Sequence, residues 1–235
     1  MPITVKLFKL EQPFSFSEGQ SSVSSLEQLT LFEDEIEDAK TELTYLGLAE
    51  DSSYTKYLVN HDMAVKLEGR VFKIDFKRVL IRKTFPLFIK ESRLLTAWVK
   101  GSTAANALKR LQNDNRIRTS VANINLPAAK DVVESRAGTM IFGAWFGSLK
   151  LDKVEVAYIY GPEIAESYEW EKYENAGELS CLQCLVNADQ EVRILLTKDG
   201  SLVIYRNLNE KEYLELAEGI FNILEENGVI YYDKM

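Results

Sequence analysis

Residues 191–224, EVRILLTKDGSLVIYRNLNEKEYLELAEGIFNIL, constrain the fold more than any other stretch. Two runs of alternating apolar residues flank Lys198-Asp199-Gly200, where Asp and Gly tolerate the positive φ of a tight hairpin. From about Asn209 the apolar spacing changes to three and four, with Tyr213, Leu214, Ala217, Ile220, Phe221 and Leu224 on one helical stripe. A further strand-like run, LSCLQCLV, begins at residue 179. The same order is legible in FPLFIKESRLLTAWVKGSTAANALKRLQ (85–112): strand, turn at Glu91-Ser92, strand, and a helix opening near Ser102 or Thr103. A strand over 70–81 precedes it. The expected fold class is therefore α+β, a mixed, mostly antiparallel sheet built from two βββα units with helices packed on one face. Residue identity between the units is slight, so the internal duplication rests on pattern alone.

Other elements follow from local signals. MPITVKLFKLEQ alternates like a first strand and lacks the continuous apolar core of an export signal. SFSEGQSSVSS (15–25) is polar and Ser-rich, as loops are. Ser25 with Gln28 fits a capping box, and Leu29, Phe32, Ile36, Ala39, Leu43 and Leu46 follow helical spacing up to Gly47. These residues predict an acidic N-terminal helix whose other face holds Glu33, Asp34, Glu35, Glu37, Asp38 and Glu42. A strand over 116–125, a short helix after Pro127, the apolar run 139–149, a strand over 154–161 and a glutamate-rich loop with helical turns complete the chain. A length of 235 residues suits a single domain. If the two units do not share a sheet, the alternative is an N-terminal half, 1–125, and a C-terminal half, 138–235.

The net charge of -8 hides a division. Residues 70–120 carry thirteen Lys and Arg against three acids, whereas 1–69 balance at -8 and 121–235 at -10. RVFKIDFKRVLIRK (70–83) alone holds six basic residues. Its alternation changes phase near Lys77 and Arg78, which predicts a bulge there. Lys73, Lys77, Arg78, Arg82, Lys83, Lys90, Arg93, Lys100, Lys109, Arg110, Arg116 and Arg118 are the candidate nucleic-acid-binding residues, since clustered cations displace the counterions of a phosphate backbone. Trp98 and Phe88 are aromatic enough to stack on bases, but their pattern is that of core residues.

Reaction chemistry has few candidates. Cys181 and Cys184 form a C-x-x-C, but within a strand, which sets the sulfurs on opposite faces and away from any helix N-terminus. A zinc site lacks further cysteines, and His61 is the only histidine. No phosphate-binding loop or dinucleotide fingerprint occurs. Asp75-Phe76-Lys77 resembles half of a metal-dependent nuclease signature, with Glu68 or Asp62 as a second carboxylate, but no Pro-Asp element precedes it. Asp75, Lys77 and Glu68 are thus weak catalytic candidates, and no cofactor is expected.

These features point to a non-enzymatic cytoplasmic protein that contacts nucleic acid through 70–120, suited to a subunit of a nucleic-acid-processing or genome-defence assembly. The alternatives are a protein-interaction subunit or homo-oligomer docking acidic surfaces, and an acidic DNA mimic using 33–42 and 163–178. No stretch is apolar and long enough to suggest a membrane helix.

Overall fold

The computed structural model describes residues 2–13, 21–32, 35–50, 53–71, 74–113, 117–186 and 191–235. The side-chain surroundings of 21–32, 35–38, 71 and 74–78 lie outside that description. The chain divides into two compact units: a hairpin unit, residues 9–119 with Met235, and a layered unit, residues 1–8 with 120–234.

The first strand, β1 (Ile3–Leu10), leads from the layered unit into the hairpin unit. There β2 (Ser21–Phe32), β3 (Glu35–Leu48), β4 (Thr55–Val71), β5 (Ile74–Lys90) and β6 (Arg93–Ala97) form an antiparallel meander in that order. Helix α1 (Gly101–Asn113) follows, and buries Ala104, Ala107, Leu108 and Leu111 at three- and four-residue spacing. β4 and β5 are each 17 residues long and pair from Thr55↔Ile89 to Val71↔Ile74. Tyr57, Val59, Phe85, Leu87 and Phe88 bury one end of this hairpin, whereas Ile81, Arg82, Lys83 and Thr84 are exposed.

Three expectations change here. The acidic N-terminal helix does not form, because residues 21–32 and 35–48 are the paired strands β2 and β3. Buried Ala39, Thr41 and Leu43 alternate with outward Lys40, Glu42 and Thr44, a period of two that the apolar 3,4 spacing concealed. Long-range pairing also outweighs helical spacing in a Ser- and Thr-containing segment. Secondly, the separate strands expected at 70–81 and 85–90 belong to the β4–β5 hairpin, where β5 runs through both without a break. Finally, the bulge lies on the partner strand. Two β4 residues between Lys66 and Gly69 stand opposite the single position 77 of β5.

In the layered unit β7 (Thr119–Ile124), α2 (Leu126–Glu134), β8 (Met140–Gly147) and β9 (Ala157–Tyr160) come first. A 3₁₀ turn (Ile164–Glu166), α3 (Tyr168–Ala176), β10 (Glu178–Val186), β11 (Val192–Thr197), β12 (Ser201–Ile204), α4 (Glu210–Glu226) and β13 (Ile230–Lys234) follow. The strand order is β1-β12-β11-β10-β8-β9, each neighbour antiparallel, and β13 pairs with β7. This is an α+β architecture. The runs β4-β5-β6-α1 and β10-β11-β12-α4 share element order, but their strands differ widely in length.

Side-chain oxygens cap the helices. Asn125 Oδ1 accepts from the Ala128 amide and Ser167 Oγ from the Trp170 amide. Asn209 and Glu212 form a reciprocal capping box at α4. Ala144, Phe146, Leu182, Cys184, Ile194 and Leu196 line the inner face of the sheet. Trp170 of α3 meets Phe146 edge-on at 5.3 Å, and α2 and α4 flank a groove over Ile194 and Leu196. All three helices therefore cover one face. Among the described residues, no helix is long and apolar enough to cross a membrane.

The Thr197–Ser201 turn anchors β1. Gly200 adopts φ +75° and donates its amide to Thr197, and a Cβ there would come within 2.2 Å of the Ala122 carbonyl oxygen. Asp199 in this turn pairs with Lys6 at 3.2 Å, although Lys6 is only 2% exposed. Burial pulls the Lys6 pKa below its usual value, and Asp199 opposes that pull. Asp199 itself is 57% exposed, so solvent screens part of the pair. Asp199→Ala, which leaves the buried ammonium without its carboxylate, is expected to cost about 1–2 kcal/mol in urea denaturation. Lys6→Met in the same chain should recover most of the loss, whereas equal stability of Asp199→Ala and the parent chain would show the pair to be dispensable.

Candidate functional site

The best-organised polar cluster among the described residues lies in the hairpin unit, where β3, β4, β5 and the last turn of α1 meet. Register sets Asp62 of β4 opposite Arg82 of β5, and His61 opposite Lys83. On the other side His61 faces Thr41 of β3. The Arg82 guanidinium donates to both Asp62 oxygens, Nε to Oδ1 at 2.8 Å and Nη2 to Oδ2 at 3.1 Å. The Lys40 amide also donates to Oδ2, at 3.2 Å. Arg110 reaches across from α1: its Nη1 donates to the Asp62 carbonyl at 2.9 Å and to Thr41 Oγ1 at 3.3 Å. The Arg82 bond leads the influences that hold the Asp62 carboxyl below its ordinary pKa, against its burial.

His61 is 2% exposed, and its Nδ1 shares a 2.7 Å hydrogen bond with Thr41 Oγ1. Burial, then the Arg110 charge, lower its pKa from 6.5 to about 4. The ring is therefore neutral at pH 7. Arg110 donates to Thr41, so the Thr41 hydroxyl proton is available to an unprotonated Nδ1. Beside this network His61, Met63 and Ala64 of β4 and Asn106, Lys109, Arg110 and Asn113 of α1 line an open groove. Its chemistry, two cations with two carboxamides and no carboxylate among the lining residues, suits an anionic group.

The candidate basic residues separate into groups. Lys109 and Arg110 line this groove and Lys83 stands in register with His61 beside it, whereas Arg82 is engaged by Asp62 on the opposite face of the strands. Lys90 and Arg93 face each other at the β5–β6 turn, roughly 26 Å along β5 from Arg82 at the usual strand rise. Lys100 immediately precedes α1, roughly 13 Å along the helix from Lys109. Arg118 is exposed just before β7. Lys77 and Arg78 belong to β5, with Arg78 paired to Lys66, but their side chains lie outside the described residues. Lys73 and Arg116 lie outside them altogether. Phe88 is fully buried, whereas Trp98 is 49% exposed.

The other candidates are placed as follows. Asp75 pairs with Arg70, seven residues along β5 from the position opposite Asp62. At strand rise that separates Asp75 from Asp62 by roughly 23 Å, and Asp62 is already held by Arg82. Glu68 is exposed within the β4 bulge. Among the described residues no three His, Cys, Asp or Glu side chains gather into a metal-binding group. Cys184 is buried and its thiol pKa is pushed up to about 12, while burial also raises that of half-buried Cys181. Neither is a ready thiolate.

Sequence reasoning missed the Thr41–His61–Arg110 chain. Its one available signal was a lone histidine in an alternating run, LVNHDMAV, on the buried parity with Val59.

The depressed His61 pKa carries a pH signature. The unfolded chain binds a proton at His61 below pH 6.5 while the folded chain resists it to about 4. Its contribution to stability is therefore present above pH 6.5 and lost as pH falls from 6.5 through 4. Asp62 acts lower, because its depressed pKa delays its loss until below the ordinary carboxylate value of 3.8. His61→Gln should flatten urea stability between pH 6.5 and 4 relative to the parent chain; an unchanged slope would exclude His61 as its source. Compared with known proteins, the chain matches no family model and no curated protein sequence.

Proposed function

We propose that the chain is a binding protein whose basic segment contacts nucleic acid, with the groove beside His61 as the point of phosphate contact. One observation carries this reading. Lys109 and Arg110 of α1 line one groove that holds no carboxylate, and Lys83 of β5 stands in register with His61 beside it, although the hairpin unit as a whole carries seventeen Lys and Arg against sixteen acids. Arg110 is held by Thr41 and by the Asp62 carbonyl, and Lys83 and Lys109 are exposed cations beside it. A fixed guanidinium with exposed ammoniums beside it suits successive phosphates, and the affinity they supply falls with salt. Acidic surfaces elsewhere discourage indiscriminate association.

A second reading, docking of an acidic protein partner, draws on the exposed Leu46, Leu48, Leu67 and Ile81 of β3, β4 and β5. Exposed apolar side chains beside cations are usual in protein interfaces.

Binding to single- and double-stranded DNA and RNA across a salt series separates the two, with Lys83→Glu/Lys109→Glu run alongside. The parent chain should bind, weaken steeply as salt rises, and lose about tenfold or more in the variant. Absence of binding at low salt, together with a mass above 26.8 kDa in solution, would instead favour the protein-docking reading.

A further inference from the structure

In the layered unit the sheet face opposite α2, α3 and α4 is aromatic. Register sets Trp145 of β8 between Cys181 of β10 and Tyr158 of β9. In the next row Gly143 stands between Gln183 and Tyr160. Trp145 and Tyr158 stack with centroids 4.0 Å apart and planes 26° from parallel. Tyr158 and Tyr160 are 6.2 Å apart, and Phe142 meets Tyr160 edge-on at 5.6 Å. Arg193 of β11 lies over the Phe142 ring at 5.5 Å. The Tyr158 hydroxyl donates to Gln183 Oε1 at 3.1 Å. Gly143 makes room for this pair, since a Cβ there would come within 2.8 Å of Gln183 Oε1 and 3.3 Å of the Tyr158 hydroxyl.

Two of these rings are presented to solvent, Tyr158 at 47% exposed and Tyr160 at 59%, over a half-buried Trp145 and a buried Phe142. A merely solvated strand face would carry Thr, Lys or Glu at such positions. Neighbouring rings on a rigid sheet present flat π surfaces to another planar group, and Gln183 and Arg193 place an amide and a guanidinium beside them. That combination recognises nucleobases by stacking and by hydrogen bonds to their edges. Paired bases keep their faces inside the duplex, so the strand must be unpaired.

We infer that this face is a stacking platform for the unpaired bases of a single-stranded nucleic acid. The inference rests on the nucleic-acid-binding reading of the chain and adds to it the strand class and a second contact surface. Charge does not oppose it locally. The layered unit holds twenty acids against eleven Lys and Arg, but eleven of the acids lie on α2, α3 and α4, which cover the opposite face. Arg193, paired with Leu185 in the row beyond Gln183, sets a positive charge beside the rings. Binding here comes from stacking and depends weakly on salt, unlike phosphate contact at the His61 groove.

The test uses the full chain and three labelled ligands: a single-stranded oligothymidine, a duplex of the same length, and a strand of abasic sugar-phosphates. Fluorescence anisotropy compares the parent with Tyr158→Ala/Tyr160→Ala, Tyr158→Phe/Tyr160→Phe and Lys83→Glu/Lys109→Glu. The alanine pair should weaken oligothymidine binding by about tenfold or more, leave the abasic strand and the duplex unchanged, and be matched by no such loss in the phenylalanine pair. If the alanine pair fails to fold, Tyr160→Ala alone, which alters the more exposed ring, reads the same difference. Parent-like oligothymidine binding by the alanine variant, with loss in the lysine variant, overturns the platform and leaves the basic-segment reading standing. If the parent binds none of the three ligands at low salt, both readings fall. A proline-rich peptide that then binds in a Tyr158- and Tyr160-dependent way would assign the face to a protein partner.

Discussion

Antiparallel register is the constraint on which both units depend. A strand repeats every two residues, so a slip of one position exchanges its faces. In the hairpin unit the pairing of Asp62 with Arg82 and of His61 with Thr41 exists only in the observed register. In the layered unit the same rule sends Ala144, Phe146, Leu182 and Leu196 inward under the helices, and Trp145, Tyr158 and Tyr160 outward. The devices that hold register differ. A long two-sided pairing with one bulge holds β4 against β5, whereas the tight Gly200 turn and the Lys6–Asp199 pair hold β12 and β1.

Electrostatics in the chain is a contest between desolvation and partnership. Burial lowers the pKa of both Lys6 and His61, but with different outcomes. Lys6 has a carboxylate at its tip and remains an ion pair, while His61 has the Arg110 charge beside it and stays neutral. Asp62 resolves the contest the other way, because a bidentate guanidinium and a backbone amide together outweigh its burial. The segregation of charge along the sequence is thus partly annulled in space. Residues 9–119 are close to neutral as a unit, since the acidic strand β3 belongs to the same meander as basic β5.

How far the fold was legible varied with the range of the determining interactions. The Lys198-Asp199-Gly200 hairpin and α4 were readable because turn chemistry and helix capping act within a few residues. The buried set Tyr213, Leu214, Ala217, Phe221 and Leu224 follows directly from helical spacing, with only Ile220 left half-buried at the groove. Residues 21–48 were misread because Leu29, Phe32, Ile36 and Leu43 fit a helix locally, whereas β2 and β3 satisfy their backbone groups through partners that local spacing cannot reveal. Of the site, Lys83, Lys109 and Arg110 were visible as charge. Their convergence was not, and neither was the division of the remaining cations along β5 and α1.

By itself the sequence determined the class of the fold, the capped helix α4, the strand character of the Cys181–Cys184 segment and the concentration of cations in 70–120. Each of these rests on period, composition or short-range turn chemistry. Tertiary structure alone decided that Asp62 neutralises Arg82, that His61 is buried and neutral beside Arg110, and that Tyr158 stacks on Trp145 across a sheet face the helices leave open. The physical reason is common to all three. Each requires side chains on different elements to meet, and the register and helix placement that bring them together are set by burial of the core.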